Sequence, residues 1–314
     1  MDKVLGDFIK SVKIAECRIV STPNFVFLCG GPTASNGPEI SARDHFYRYL
    51  LANAPQIERR VKLAETINSW FDHDTFGDLL ELEEYLADVS DLIVIFVESP
   101  GSIAELGAFA GSEALRPRTL AVLNSTYSSN QSFISDGPIR RLGGVDGGMV
   151  HYYQWNPDDI ADPDNGLAFY DLDRDLCQIL RERARSATRE KRVVLGSHGH
   201  VMLLIADLVD MIGITFSTEI IECLTAWGHV IDQKQLRKYL SLLEHLKLLK
   251  SARNSNQTYY LIKRSYGFIK WASVRDRERV KTAIRESLSP SHVQRRRAGR
   301  CSRRGRSNRR APLG

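Results

Sequence analysis

The chain has 314 residues, of which 43% are hydrophobic and 26% are charged, and its formal net charge is +5. This composition excludes a wholly disordered chain, and the length predicts two domains. No run of 18 apolar residues is present and the first residues lack the apolar core of a secretory signal, so we expect a cytoplasmic protein that does not span a membrane. Five scattered cysteines without a C-x-x-C pair argue against a disulfide framework or a cysteine zinc site.

The charge is divided unevenly along the chain. Residues 1–190 hold 18 Lys+Arg and 29 Asp+Glu, whereas residues 191–314 hold 25 and 9, including nine arginines and no acidic residue over 290–314. A basic half favours contact with a polyanion such as nucleic acid, although a solvated surface with a floppy tail has the same composition. We predict a first domain over 1–190, a second over 191–289 and a disordered Arg-rich tail over 290–314.

The first half alternates strand-like and helix-like segments. Buried strands are predicted at 25–29, 92–97 and 119–123, a weaker strand at 61–64, and helices at 41–51, 79–86, 103–115 and 168–189. Residues 124–148 form a long Gly- and Ser-rich loop of the kind that often covers a site. The alternation predicts an α/β fold with a flavodoxin/Rossmann-like parallel sheet and helices on both faces.

The second half has a different pattern. Helices are predicted at 200–213, 217–227 and 232–248, followed by a hairpin that turns at residues 253–256 and continues through 258–262. Three helices and a hairpin in this order are typical of a winged helix-turn-helix domain. Lys234, Arg237 and Lys238 lie at i, i+3 and i+4 on the third helix, and Arg253 lies at the hairpin turn, so we predict that these four residues contact nucleic-acid phosphates.

Two strand ends carry unusual loops, and ligands of doubly wound sheets bind at the carboxyl ends of the strands. Gly30 and Gly31 follow the first strand and allow close approach of a ligand, or simply form a turn that ends the strand. Residues 98–109 follow the strongest strand, and Ser102-x-x-Glu105 within them fits a capping box. The same place near a helix N-terminus suits a catalytic carboxylate, because a carboxylate can attack a sugar's anomeric carbon or stabilise its developing positive charge.

These motifs resemble a known family. The strand 25–29 with Gly30-Gly31-Pro32, the strand 92–97 and the sequence ESPGSIAELGAF over 98–109 look like the nucleoside 2-deoxyribosyltransferase fold. More narrowly, they and residues 132–140 resemble effector proteins encoded beside bacterial retron reverse transcriptases, whose second half is a winged-helix domain. The resemblance covers residues 24–262.

The resemblance implies roles for individual residues. Glu105 falls on the nucleophilic glutamate of the family. Seven further residues are implied in substrate binding, among which Arg43 also fits a solvated helix face and Asp136 an ordinary turn. They are Gly30, Gly31, Arg43, Ser99, Gly101, Ser102 and Asp136, counting both residues of the glycine pair.

The implied function is that of a retron anti-phage effector whose first domain is an N-glycosidase acting on NAD or a nucleotide. It would need no cofactor or metal, and would be held by reverse transcriptase and multicopy single-stranded DNA in an RNA hybrid, with a higher-order assembly as a further option. The extra domain and the Gly-Gly-Pro sequence differ from the small transferases and argue against base exchange between nucleosides. Two alternatives stay open, a nucleotide-sensing regulator in which Glu105 is only a helix cap and an interaction protein whose winged helix binds protein.

Overall fold

The computed structural model describes residues 2–34, 36–128, 131–144, 147–156, 158, 160–162, 165–186, 190–254 and 257–288. Two compact units are present: Thr22–Arg189 forms one, and Met1–Ser21 with Glu190–Gly314 forms the other. The Arg-rich tail over 290–314, for which disorder is predicted, lies outside the described residues.

The elements are numbered in chain order. The strands are β1 Arg18–Ile19, β2 Val26–Cys29, β3 Val61–Leu63, β4 Leu92–Phe96, β5 Thr119–Asn124, β6 Val150–Tyr153, β7 Lys191–Arg192, β8 Thr215–Phe216, β9 Leu249–Asn254, β10 Gln257–Ile262 and β11 Ile269–Lys270. The helices are α1 Lys3–Ser11, α2 Ala42–Asn53, α3 Pro55–Glu58, α4 Ala64–Asn68, α5 Leu79–Val89, α6 Pro100–Gly111, α7 Gly166–Ser186, α8 His198–Ile212, α9 Ser217–Ala226, α10 Gln233–His245 and α11 Arg277–Ser287.

The unit Thr22–Arg189 is built on a five-stranded sheet in the order β3-β2-β4-β5-β6. Every neighbouring pair of strands is parallel, which confirms the predicted parallel α/β sheet. The strands β2, β4 and β5 are buried along their whole length, as their uninterrupted apolar sequences indicate. Because the chain runs outward from β2 to β3 and then returns to β4, the strand order reverses between β2 and β4, where a ligand crevice is expected.

Helices cover both faces of this sheet. On one face, Leu28 and Phe96 pack in a cluster with Phe46 of α2 and Leu172 of α7. On the other face, Phe27 packs against Phe109 of α6, with ring centroids 6.2 Å apart. Burial of alternate strand residues on opposite faces is the reason that the strands need helices on both sides.

A half-buried histidine joins α2 to α7 within this unit. His45 Nδ1 lies 2.7 Å from Glu39 Oε2 and its Nε2 lies 3.2 Å from Asp173 Oδ2. Its ring stacks on Phe169 at a centroid distance of 4.0 Å. Burial lowers the pKa of His45, but the hydrogen bonds and charges of Asp173 and Glu39 outweigh burial, so the pKa is raised above its usual value.

The second unit contains the first 21 residues of the chain, which the sequence analysis placed with residues 1–190. The buried face of α1 includes Phe8, whose ring contacts Trp271 at 5.4 Å, and the indole N–H of Trp227 donates to the carbonyl of Ile9 at 3.1 Å. β1 is the central strand of a small antiparallel sheet, β11-β1-β7. The expectation was wrong because an amphipathic helix shows which face is buried but does not identify the surface that covers it.

The rest of this unit surrounds α8, which is buried from Val201 to Ile212. The helices α9 and α10 follow, then β9 and β10, which pair as an antiparallel hairpin with β8 on the outer side of β10. Two aspartates within α8 are buried and form ion pairs with α11. Arg277 contacts Asp207 at 2.6 Å and Asp210 at 2.7 Å, and Lys281 contacts Asp210 at 2.9 Å.

Candidate functional site

The N-terminus of α6 is formed by two serines. Ser99 is the N-cap, its hydroxyl accepts from the N–H of Ser102 at 3.2 Å, and the Ser102 hydroxyl accepts from the N–H of Ser99 at 3.0 Å. The predicted capping box between Ser102 and Glu105 was therefore wrong. Pro100 occupies the first helical position, where its missing N–H is not needed, so the helix begins one turn earlier than the motif indicated. Glu105 has no capping role and is available for other contacts.

Glu105 lies one turn into α6, beside the end of β2. The charge of Arg43 and the thiol of Cys29 both act on the pKa of its carboxyl group. Its Oε2 atom is buried and has no hydrogen-bond partner among the described residues. Burial raises the pKa of Glu105, while Arg43 and Cys29 oppose that rise. The result is a carboxylate with one unengaged oxygen in a poorly solvated place.

Arg43 is buried, with only 1% of its surface exposed, so the expectation of a solvated helix-face arginine was wrong. Its guanidinium donates to the carbonyl of Leu28 at 3.3 Å and to the Glu65 carboxylate. Gly30 makes room for it, since a Cβ at Gly30 would lie 3.0 Å from Arg43 Cδ and 2.8 Å from Phe96 Cβ. The φ of Gly30 is +152°, which side-chain-bearing residues rarely adopt.

A third acidic residue, Glu83 of α5, belongs to the same buried cluster. It is 8% exposed, and burial together with the charge of Glu105 raises the pKa of Glu83 to about 7. Arg43 is paired with Glu65, and its charge also acts on Glu105. The positive charge of Arg43 favours the ionised form of Glu105, whereas burial disfavours it.

Glu98 lies two residues after the end of β4 and connects the two loops that the sequence singled out. Its Oε1 accepts from the N–H groups of Gly31 and Arg43, both at 3.0 Å, and its Oε2 accepts from the N–H of Ala42 at 2.8 Å. The loop at Gly31 was expected to bind a ligand, but the N–H of Gly31 donates its hydrogen bond to Glu98. Burial raises the pKa of Glu98, and the three backbone donors oppose that rise.

A cavity of about 480 Å³ opens at the carboxyl ends of β4, β5 and β6. Its described lining residues are Gly31, Pro32, Ile40, Ser41, Val97, Glu98, Ser99, Pro100, Ile103, Leu123, Asn124, Tyr127, Ser132, Ile134, Ser135, Ile139, Tyr152, Trp155 and Ile160. A volume of this size fits a small organic ligand. The long loop supplies one wall, from Ser132 to Ile139, as loops over such sheets often do.

The structure brings only part of the predicted substrate set to this cavity. Gly31 and Ser99 line it. The described lining does not include Gly30, Arg43 or Ser102. These three residues contact residues next to the cavity, as described above. Gly101 and Asp136 are exposed and are not among the described lining residues. Glu105 is also absent from that lining, so the carboxylate cluster and the cavity are two adjacent parts of the same sheet edge.

The predicted nucleic-acid residues lie in the unit that contains α8. Lys234 and Arg237 are exposed on α10, and Arg253 is exposed on β9. Lys238 is only 8% exposed, so the prediction that it shares the open face of α10 was wrong. The buried side of α10 is wide because this helix packs against α8, α9 and β9 at once.

Sequence reasoning missed several residues that form these sites. Glu98 was not assigned a role, although its position immediately after the strongest strand was a usable signal. Two aromatic residues of the cavity wall were also missed: Tyr152 belongs to β6, a strand that the sequence analysis did not predict, and Trp155 follows the end of that strand. Beside α10, a groove lined by Arg237, with Gln257 and other polar residues of β10, extends the predicted interface.

Within the described part of the chain, no three His, Cys, Asp or Glu side chains are grouped as metal ligands. No helix that the structure describes is long and apolar enough to cross a membrane.

Comparisons with known proteins identify the family. Residues 39–251 match the family described as STM3845 retron effector protein. The Escherichia coli protein named retron Ec86 putative ribosyltransferase/DNA-binding protein is 34% identical over 126 residues, which are 37% of this chain and 36% of that protein. The Escherichia coli protein named retron Ec73 putative ribosyltransferase/DNA-binding protein is 29% identical over 267 residues, which are 78% of this chain and 79% of that protein. Because the family match spans more than half of the sequence, including the loop over residues 98–109 and the three helices α8, α9 and α10, this chain belongs to the STM3845 retron effector family.

Proposed function

We propose that this retron effector cleaves the N-glycosidic bond of NAD or a related nucleotide, with Glu105 as the catalytic carboxylate. The observation that carries the proposal is the state of Glu105: it lies next to the strand-order reversal, has a buried oxygen without a described partner, and faces Arg43. The printed names of both relatives, putative ribosyltransferases, support a glycosyl-transfer reaction.

The proposed chemistry uses the carboxylate in two steps. Glu105 attacks the anomeric carbon as the C–N bond breaks, and the base leaves with the bonding electron pair. Water then attacks the same carbon, the bond to Glu105 breaks, and the water loses one proton. Arg43 favours the ionised form of Glu105 against the effect of burial, and the low polarity around the carboxylate strengthens its attraction to the positive charge that develops on the sugar.

The same proposal assigns the second unit to nucleic acid. The order α8, α9, α10 and the hairpin β9–β10 supports the assignment of a winged helix-turn-helix, and Lys234, Arg237 and Arg253 are exposed on α10 and β9. Both relatives are named DNA-binding proteins. We propose that this unit holds the multicopy single-stranded DNA of the retron, and that reverse transcriptase with this DNA restrains the enzyme until phage infection disturbs the complex.

A Glu105→Gln substitution tests the catalytic role. Glutamine nearly preserves the shape of the side chain but carries no negative charge, so we expect a folded protein whose cleavage of NAD, nucleotides or nucleosides falls about a thousandfold, equivalent to about 4 kcal/mol of transition-state stabilisation. The assay measures base release by the protein freed from its partners. Glu113→Gln is the matched control, because Glu113 is exposed just beyond the end of the same helix. Full activity of Glu105→Gln would contradict the proposal.

A second candidate is a nucleotide-sensing regulator without catalysis. The observation that favours it is that Glu105 is not among the described residues that line the cavity. This alternative predicts saturable nucleotide binding by the wild-type protein with no base release, and a nucleotide-dependent change in its affinity for DNA. Base release that is lost in Glu105→Gln would exclude it.

A further inference from the structure

We propose that a row of three cationic side chains on the small sheet β11-β1-β7 is a separate binding site for the phosphate backbone of a nucleic-acid strand. The cationic row consists of Lys270, Arg18 and Arg192. It lies outside α10 and β9, so it goes beyond the nucleic-acid residues assigned under the proposed function, and it does not depend on catalysis by Glu105. The ligand is recognised by its phosphates and not by its bases.

The cationic row is a consequence of the register of the sheet. Arg18 of the central strand β1 is paired with Lys270 of β11 on one side and with Arg192 of β7 on the other. Directly paired residues of antiparallel strands project from the same face, so the three cations are neighbours. The next pair along, Ile19 and Ile269, projects from the opposite face, and both residues are buried. The row therefore lies on the outer face of the sheet.

The charges of this row are poorly compensated by the protein. Arg18 is half-buried, and its Nη1 atom is buried without a hydrogen-bond partner among the described residues. Lys270 contacts Glu190 at 2.8 Å, but their side chains are 64% and 48% exposed, and ion pairs at such exposed positions are weak. Like charges directly opposite each other destabilise a sheet. An anion bound to the row would relieve this repulsion.

A cavity of about 360 Å³ adjoins the row. Arg18 and Lys270 line it together with Arg275, which is exposed in the segment after β11. Glu16 and Glu190 also line the cavity, and each of them is already paired with a lysine. Because Arg192 adds a further positive charge beside Arg18, this place has an excess of positive charge that attracts an anion.

The shape of the row favours a chain of phosphates over a single anion. Neighbouring strands of a sheet lie about 4.8 Å apart, so the Cα atoms at the two ends of the row are about 10 Å apart. A single phosphate would have to draw three like charges together, whereas consecutive phosphates of a strand meet them one by one. The guanidinium groups of Arg18 and Arg192 present planar sets of N–H donors that match phosphate oxygens. The exposed cations of α10 belong to the same unit and favour a long polyanion over a short acidic peptide.

The test measures binding of two labelled strands, oligothymidylate and oligouridylate, to the full-length protein by fluorescence anisotropy between about 50 and 200 mM salt. The row variant carries Arg18→Gln, Arg192→Gln and Lys270→Gln. The matched control removes the same charge from exposed positions of α1 and α11, by Lys3→Gln, Lys10→Gln and Arg279→Gln.

Each phosphate contact to a single strand contributes about 0.7 to the slope of log affinity against log salt concentration, so loss of three contacts should reduce this slope by about 2. We expect the row variant to bind both strands about tenfold or more weakly at about 50 mM salt, and the control variant to bind them as the wild type does. Equal losses in the two variants would show that only net charge matters, and would overturn the proposal.

Two competitors identify the ligand. Inorganic phosphate and polyglutamate are each titrated against the labelled strands bound to the wild-type protein. Unlabelled strand should displace them at far lower concentrations than either competitor. Displacement by inorganic phosphate as effective, per phosphate, as by the unlabelled strand would indicate a site for a lone anion. Tighter binding of polyglutamate than of the strands would indicate an acidic protein partner. Either result would overturn the proposal.

The row variant is also combined with Lys234→Glu and Arg237→Glu, which test the cations of α10. The effect of the row should persist in this background, because the two sets of residues lie on different elements. Loss of the row effect in this background would contradict a separate site. If the α10 substitutions alone have no effect while the row effect remains, the nucleic-acid assignment of α10 fails and the row stands.

Thermal melting of the protein without nucleic acid separates binding from a structural role. Because the row places like charges side by side, the row variant should melt at the wild-type temperature or above it. A second variant with only Arg192→Gln and Lys270→Gln keeps the binding test valid if loss of Arg18 lowers the melting temperature, since both of these residues are exposed. Its salt slope should fall by about 1.4, and an unchanged slope would overturn the proposal.

Discussion

Replacing Arg277 with glutamine should loosen the attachment of α11 to α8. Asp207 is 1% exposed, and Arg277 is the only cation paired with it among the described residues. The same guanidinium also reaches Asp210, so one substitution removes two buried contacts. Asp207 would keep two neutral donors, the N–H of Phe268 at 2.9 Å and the indole N–H of Trp271 at 2.7 Å.

These contacts set the expected magnitude. Removing one partner of a buried ion pair costs about 3–5 kcal/mol. The side chain of Arg277 is 22% exposed, and Asp210 retains Lys281 at 2.9 Å, so the loss belongs at the lower end of that range. We expect the free energy of opening of this unit to fall by about 3 kcal/mol, which corresponds to a roughly hundredfold larger open population.

The measurement is hydrogen exchange of the full-length protein, followed by mass spectrometry of peptides from α8 and α11. Arg279→Gln is the matched control, because Arg279 is an exposed arginine of the same helix. The Arg277 variant should exchange about a hundredfold faster in these peptides, whereas the control should match the wild type. Equal exchange in the two variants would show that the buried charges of α8 do not hold α11.

Two further predictions concern pH and salt. The pKa of His45 is raised in the folded state, so protonation of His45 stabilises the fold. This contribution is complete below the unfolded pKa of about 6.5 and is lost as the pH rises through the folded pKa. His45→Gln should remove this pH dependence from the free energy of unfolding, and a pH profile parallel to that of the wild type would contradict the prediction. Reversing the charges of Lys234 and Arg237 should weaken binding of single-stranded DNA and, if each residue contacts one phosphate, should reduce the slope of log affinity against log salt concentration by about 1.4. Reversing the charges of the exposed Lys3 and Lys10 on α1 should leave that slope unchanged. An unaltered slope in the Lys234 and Arg237 variant would exclude these phosphate contacts.

Local sequence patterns were sufficient for the elements of the sheet. The apolar runs of β2, β4 and β5 and the helical spacing of α5 are properties of a few consecutive residues, and the structure contains all four elements. The pattern failed at β6, where Val150 is buried but the following residues are only half-buried. The apolar pattern of β6 is too short to predict a strand, and β6 is recognised only from its pairing with the parallel strand β5.

The start of α6 shows how a local motif can be correct in composition and wrong in register. Ser99 and Ser102 are three residues apart, and Ser102 and Glu105 are too, so the spacing alone supports either capping arrangement. Pro100 favours the earlier start, because proline is well suited to the first helical position. That one-turn difference decides whether Glu105 is a cap or a carboxylate beside Arg43.

The sequence by itself determined the parallel α/β sheet, the two loops at its carboxyl edge and the resemblance that led to the retron effector family, because these depend on short-range periodicity and on motifs of consecutive residues. Only the tertiary structure decided that Arg43 and Lys238 are buried, that the first 21 residues join the second unit, and that Glu98 is bound by backbone groups. The Glu98–Gly31 contact joins residues 67 positions apart, and burial of a charged side chain depends on which distant residues cover or pair with it. Hydrophobic periodicity carries no information about such partners, so long-range packing and charge compensation had to be read from the folded chain.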